Sequence, residues 1–291
     1  MARSHPGSPP GIWDEAVSVA RRARRRRRER RCRALTRPSE VGGGRVLIHA
    51  LERLPLYIDA GDAGLSRRLV ADGFWEMWLT EALEQVLRPG MTAIDIGANV
   101  GYFTLLMADR VGARGRVHAF EANPAMSAML ADSVALAEFS ERVSVHNDPL
   151  WDTDGEICLL KVPEGEPKNA HLVTGAGEDV IGIRGVTRRA DGFPALAQAD
   201  VIKIDVEGAE ERIWSGMEGL LAGGRPMTIF LEFSPIRYGA PMAFLEAIMT
   251  KGFALGELSV SHGIRAVTAG EILAGDCAED RMLALTRGRA Q

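Results

Sequence analysis

The chain has 291 residues, 46% of them hydrophobic and 25% charged, with a net charge of −4; this allows one α/β core with an appendage, and the modest net charge points to no partner. There is no run of about 18 apolar residues, which argues against a transmembrane segment, and the Arg-rich N-terminus lacks the apolar stretch of a secretory signal. Cys32, Cys158 and Cys277 are widely spaced with no CxxC pair, so neither a zinc site nor a redox couple is indicated, and a cytoplasmic protein with reduced cysteines is expected.

Residues 1–40 read as a flexible Arg-rich leader. Pro6, Pro9, Pro10 and Gly11 open it, RRARRRRRERRCR fills residues 21–33, and Pro38 with Gly42, Gly43 and Gly44 closes it. Residues 12–35 are compatible with a basic helix. A solvated tail is the simpler reading of the arginines; attraction to nucleic acid or an anionic surface is disfavoured because no aromatics interleave them. With few large apolar residues to bury, residues 1–37 are expected to be removable without loss of the fold.

Residues 41–88 read as a hairpin and a helix covering the core. RVLIHALERLPLYI (45–58) has the pattern of a strand or hairpin. Leu69, Phe74, Trp78, Leu79, Leu83, Val86 and Leu87 then recur at helical spacing until Arg88-Pro89-Gly90 stops the helix. Phe74, Trp75 and Trp78 are either ordinary packing or a lid. Residues 89–291 alternate strand and helix: strands at 91–96, 116–120, 143–146, 201–206 and 227–233, and helices at 101–110, 124–137, 209–221 and 241–251. A turn-rich stretch holds strands near 156–162 and 182–187, and 253–260 and 281–286 close the chain. Apolar strands alternating with helices predict an α/β, Rossmann-like, mainly parallel sheet with helices on both faces.

The most informative segment is AIDIGANVGYFT (93–104). A strand ends at Asp95-Ile96, Gly97, Asn99 and Gly101 turn the chain, and a helix begins, leaving helix N-terminal amides free beside a close backbone approach. The spacing is GxxxG rather than GxGxxG, and Asp95 would repel a pyrophosphate while suiting a cationic amino-acid group. Glu121 ends the next strand, 20 residues after Gly101, where an acid hydrogen-bonds a ribose diol. Asn147 and Asp148 end the third strand, within reach of an adenine. Together these features point to a sulfonium-bearing nucleoside. Asp205 closes a later strand, with Lys203 on the same side, and Glu207 begins the turn that follows; Glu232 ends the neighbouring strand. Each of these acids is placed to take a hydroxyl proton or to orient an acceptor, while helix capping is the structural alternative. His146 and His171 are less favoured bases.

The blocks AIDIGANVGYFTLL, VHAFEANP, VIKIDVEGAEERIWSGM and IFLEFSP, with the lead-in LVADGFWEMWLTEALEQVLRPGM, resemble the FkbM family of methyltransferases over most of residues 55–235. The resemblance implies a class I methyltransferase fold with a seven-stranded sheet, and S-adenosylmethionine as cofactor, converted to S-adenosylhomocysteine. It also implies O-methylation of a hydroxyl on a sugar, polyketide or other small or glycosylated metabolite. Carried onto this sequence, Asp95, Gly97, Asn99, Gly101 and Glu121 are expected at the cofactor and Asp205 and Glu207 at the mouth of the site. With the strand-end reading, Ala98, Tyr102, Phe103, Ala122, Asn147, Asp148 and Asp205 are also expected at the cofactor, and Asp205, Glu207 and Glu232 at the reacting centre. A divalent metal is a less favoured addition, since carboxylates alone are not a specific pattern. The alternatives are N-methylation or a macromolecular acceptor, and a non-catalytic nucleoside-binding module. The glycine- and charge-rich stretch 163–192 departs from the family's pattern on the acceptor side.

Overall fold

The computed structural model describes residues 15–165, 169–174, 181–260 and 263–288, with side chains from Arg22 onward. The opening prolines and the predicted start of the basic helix at residue 12 lie outside the described residues. Helix α1 (Glu15–Leu35) leads to strands β1 (Ser39–Gly42), β2 (Arg45–Ala50) and β3 (Leu54–Asp59), an antiparallel sheet, and then to helices α2 (Leu65–Asp72) and α3 (Met77–Val86). The alternating core follows as β4 (Thr92–Ile96), α4 (Tyr102–Val111), β5 (Arg116–Phe120), α5 (Pro124–Leu136) and β6 (Val143–His146). A small antiparallel sheet interrupts it, with β7 (Ile157–Lys161) between β8 (His171–Thr174) and β9 (Ile183–Val186). The alternation resumes with β10 (Val201–Ile204), α6 (Glu210–Ser215), α7 (Glu218–Ala222), β11 (Met227–Phe233) and α8 (Pro241–Thr250). The chain closes through β12 (Ala254–Ser259), β13 (Gly263–Ala266), α9 (Ala269–Leu273) and β14 (Arg281–Arg287).

The main sheet has eight strands in the order β13-β12-β14-β11-β10-β4-β5-β6. The five from β11 to β6 run parallel, and β14, β12 and β13 pair antiparallel at one end. The expected seven strands are joined by an eighth, β13, a short return strand against β12. The chain winds outward from β4 to β6 and then crosses back to β10, so strand order reverses between β4 and β10. Ligands of open α/β sheets bind outside the carboxyl ends of strands at such a point.

Strand alternation sorts the core. Ile94, Ile96, Ile202, Ile204, Ile229 and Leu231 face one side, packed with Ile213, Trp214, Leu245 and Ile248. Ala93, Val201 and Phe230 face the other, with Leu105, Leu106, Leu83, Ile48 and Leu56. Each fully buried aliphatic side chain contributes roughly 1.5–3 kcal/mol. Asp95 and Lys203, register partners on β4 and β10, share this second face, so one acid and one base enter an otherwise apolar layer.

Two expectations need correction. The predicted helix 66–87 is two helices, because Gly73 takes a left-handed φ of 70° that caps α2 and Glu76 has a φ of 35°. The break turns Trp75 toward the cavity described below. The expected flexible leader is, from Glu15 on, helix α1 seated on the body. Arg25 pairs with Glu81 at 2.7 Å, Arg28 with Glu84 at 2.6 Å, Arg31 with Glu52 at 2.7 Å and Arg33 with Asp72 at 2.7 Å, and Cys32 is buried beneath them. Arg25, Arg28 and Cys32 fall on one helical stripe, and their partners lie far away in sequence. Cys158 is buried and Cys277 exposed, and all three cysteines are free thiols. Among the described residues, no helix is long and apolar enough to cross a membrane.

Candidate active site

At the reversal point two adjoining cavities open above the sheet. The narrow one, about 80 Å³, is lined by Ile96, Gly97, Phe120, Glu121, Asp148 and Leu160, among others. The wide one, about 410 Å³, is bordered by Trp75, Phe103, Lys203, Glu232, Arg237 and Asp280, among others. Gly97, Asn99, Asp205 and Glu207 line both.

The glycine loop has this shape for steric reasons. Gly97 has a φ of +78°, and a Cβ there would lie 1.9 Å from the Asp205 carbonyl oxygen. Its amide and that of Ala98 both donate to the Phe120 carbonyl at 3.0 Å, which ties β4 to β5. The Glu121 carboxylate receives the backbone N–H of Asn99 at 2.7 Å and of Asn123 at 2.8 Å. Burial raises its proton affinity and these two amides oppose the rise. Pro124 opens α5, and the Asn123 side chain caps it by accepting from the Ala125 amide at 3.0 Å.

Lys203, 1% exposed, borders the wide cavity. Its Nζ is 3.6 Å from Asp95, 3.1 Å from Asp205 and 3.4 Å from the Gly97 carbonyl, which accepts from it, and 5.3 Å from the centre of the Phe103 ring. Burial pushes the Asp95 carboxyl up; Lys203 and the Thr104 hydroxyl, donating at 2.7 Å, pull it back. For Lys203 burial pulls down, but the surrounding carboxylates win and its proton is held more tightly than usual.

The turn after β10 is built by Glu210. Its Oε1 accepts the amides of Val206 and Gly208 at 3.2 Å each, and the Tyr238 hydroxyl donates to its Oε2 at 2.9 Å. This brace accommodates Glu207 at a φ of 56°, and Glu76 and Asn99, also on the wide cavity, have positive φ too. Such strain persists where the surroundings over-determine it, as at ligand sites.

Asp205, Glu207 and Glu232 bring carboxylate oxygens within 4.8 Å of one another, close enough to hold a cation. A guanidinium already stands among them: Arg237 is 2.8 Å from Glu207, 2.9 Å from Glu232 and 3.3 Å from Asp280. Even so, burial and the Asp205 and Glu207 charges push Glu232 up to about 9, against the pull of Arg237.

The structure brings most of the sequence-predicted residues together. Gly97, Ala98, Asn99, Tyr102, Phe103, Glu121, Ala122, Asp148, Asp205, Glu207 and Glu232 all border one or both cavities. Asp95 borders neither, contrary to expectation: its side chain is fully buried beneath the loop, spent on Thr104 and Lys203. Gly101 also stands back; its φ is +98°, and a Cβ there would meet Leu130 at 2.3 Å, so it serves helix packing. Asn147 is exposed, its amide donating to the Glu121 carbonyl at 2.7 Å. His146 borders neither cavity and stacks on Phe120 at 4.5 Å, and burial lowers its proton affinity; His171 is exposed on β8. Trp75 borders the wide cavity, while Phe74 and Trp78 pack against the core. Lys203 lies at the site without having been expected there, and the lysine inside the apolar strand VIKI is its signal in the sequence. Arg237 and Tyr238 carry no local signal in the sequence, and Glu210 stands inside the block VIKIDVEGAEERIWSGM without a role expected of it.

The Methyltransferase FkbM domain matches residues 95–253, more than half of the chain. The chain belongs to this family. It is therefore an S-adenosylmethionine-dependent methyltransferase. The match leaves the resembling lead-in before residue 95 outside it. Among solved structures the chain is similar to methyltransferase FkbM from Methylobacillus flagellatus KT, at 17% identity over 71% of this chain and 50% of that one, with a TM-score of 0.43. It is also similar to the O-methyltransferase TomG from Streptomyces achromogenes, involved in tomaymycin synthesis and solved with SAM (15% identity, 74% of this chain and 82% of that one, TM-score 0.43). A third is TYW2 from P. horikoshii in complex with MeSAdo (12% identity, 84% and 72%, TM-score 0.45). No curated protein matches the chain.

The residues of this FkbM-family site fit the cofactor. The narrow cavity offers apolar walls (Ile96, Phe120, Leu150, Leu160 and Leu172) suited to a flat base, and the Glu121 carboxylate at its edge suits a diol. Gly97 lets its loop close against the Asp205 backbone, and the carboxylate-rich wide cavity suits a cationic amino-acid end.

Proposed function

We propose that this methyltransferase acts on a hydroxyl oxygen of a small or glycosylated metabolite. The observation that carries the reading is the convergence of Asp205, Glu207 and Glu232 within 4.8 Å at the ends of adjacent strands, on the cavity that adjoins the glycine loop. When bound, S-adenosylmethionine supplies an activated methyl group. The chain's own residues must then align the acceptor oxygen and receive its proton. Glu232 is the proton acceptor in this reading, since its raised affinity makes it a stronger base than an ordinary carboxylate. Asp205, oriented by Lys203, and Glu207, held by Arg237, fix the hydroxyl. Glu121 and Asp148 hold the nucleoside end, with Asp95 supporting the loop from beneath.

The test has two parts. Calorimetric titration with S-adenosylhomocysteine, with and without magnesium, measures the cofactor site and any metal requirement. Methyl-labelled cofactor is then offered hydroxylated sugars and polyketide-like alcohols beside amines of matched size. Label on oxygen supports the reading. Label carried by amines alone would defeat it.

A further inference from the structure

Among the described residues, helix α1 lines neither cavity of the site, yet it holds the densest run of arginines in the chain. Its inner stripe seats it on the body. Its outer surface presents Arg24, Arg26, Arg27 and Arg30, all exposed and making no ion pair among the described residues. Arg24, Arg27, Arg28 and Arg31 join Arg53 along an open groove of about 680 Å³ that includes one acid, Glu52. The positive strip continues over α2, where Arg67 and Arg68 are exposed. Arg33 lies 5.1 Å over the Phe74 ring and Arg68 5.9 Å over Trp75, which borders the wide cavity. Basic surface therefore runs from α1 to the rim of the site.

Such a strip on a chain whose net charge is −4 selects a polyanion by charge complementarity. The cavity decides which kind. Its wall carries Glu76, Asp205, Glu207, Glu232 and Asp280 against Lys203 and Arg237. A nucleic-acid hydroxyl would bring its flanking phosphodiesters against those carboxylates. A membrane leaves its headgroup charges on the strip, outside the cavity. Leu35 and Val41, each 47% exposed at the C-terminal end of α1 and on β1, add a small apolar foothold.

We propose that α1 and α2 dock this methyltransferase on an anionic phospholipid surface, with the cavity rim facing the bilayer. Docking is electrostatic, hence reversible and weakened by salt.

The full-length protein is sedimented with phosphatidylcholine vesicles, with or without about one-third phosphatidylglycerol. Binding is expected to the anionic vesicles alone, weakening at least about tenfold on going from low salt to well above physiological salt. The variant Arg24→Gln/Arg26→Gln/Arg27→Gln/Arg30→Gln should bind at least about tenfold more weakly at an unchanged melting temperature. Absence of binding to anionic vesicles at low salt, or full binding by the quadruple variant, would overturn the proposal. Tighter binding to duplex RNA than to the vesicles would overturn it in favour of nucleic acid.

Discussion

Replacing Lys203 by methionine keeps the stem's volume and removes the charge. Asp95 then stands fully buried with Thr104 as its one hydrogen-bond donor, while Asp205, 26% exposed, keeps access to water. Removing one partner of a buried pair costs about 3–5 kcal/mol, because the other charge is left uncompensated. For a chain of this size that corresponds to a fall in Tm of roughly 6–20 °C, at about 2–4 °C per kcal/mol. The pH dependence has a definite sign. Burial already raises the Asp95 carboxyl, and loss of Lys203 raises it further. A carboxyl raised in the folded state favours folding fully below its unfolded pKa of about 3.9, and that contribution is lost as pH rises toward the folded value. The gap in Tm between wild type and Lys203→Met should therefore widen from mildly acid to neutral pH. The double variant Lys203→Met/Asp95→Asn removes both charges and should recover most of the loss. Differential scanning calorimetry across that pH range measures all three proteins. A single variant within about 1 kcal/mol of wild type, below the buried-pair range, or a double variant no better than the single, would refute the reasoning.

Gly97→Ala places a methyl group against the Asp205 carbonyl, 1.9 Å from its oxygen, at a φ of +78°. The backbone conformation alone costs roughly 1–2 kcal/mol and the clash adds to it, so binding of S-adenosylhomocysteine should fall at least about tenfold, as calorimetry can show. In the pH profile, kcat should climb as Glu232 loses its proton near 9, and Glu232→Gln should lower kcat and flatten the profile; an unchanged profile in the variant would assign the proton elsewhere. Deleting residues 1–37 removes the seat of Arg25 and Cys32 and leaves Glu81 and Glu84 without their arginines. With about 0.2–1 kcal/mol per ion pair and about 1–2 kcal/mol for the buried surface, the truncation should melt several degrees lower. A Tm identical to wild type would restore the simpler reading of a leader.

The elements that were legible in the sequence are those whose signal is local. β4, α4 and β5 announce themselves through AIDIGANVGYFT and VHAFEANP, because a tight turn needs glycine and a buried parallel strand needs an apolar run. The strand-end acids Glu121, Asp205, Glu207 and Glu232 were legible for the same reason, as charges where the apolar pattern stops. What stayed hidden depends on pairs distant in sequence. The depth of Asp95 follows from Lys203, which lies more than a hundred residues away and enters the same layer by strand register. Arg237 gathers three acids from a turn, a strand and a loop distant from one another in sequence, and α1 docks through glutamates on α3. Composition reads those arginines as solvated, since charge runs show their density and not their partners. Gly101 looked like a ligand glycine but is small for the sake of Leu130, a distinction that spacing does not carry.

The contact between Arg25 and the Val260 carbonyl spans 235 residues of sequence. The inner stripe of α1 meets α3 across a separation of 56 residues, whereas the contact just past β12 that completes its seat lies far along the chain. The seat of α1 is therefore complete only when β12 is in place. Long-range closure of this kind is slow to form because loop entropy is lost before the contact is gained. Until that contact forms, the exposed arginines of α1 keep the surface strongly charged, which opposes association between partly folded copies.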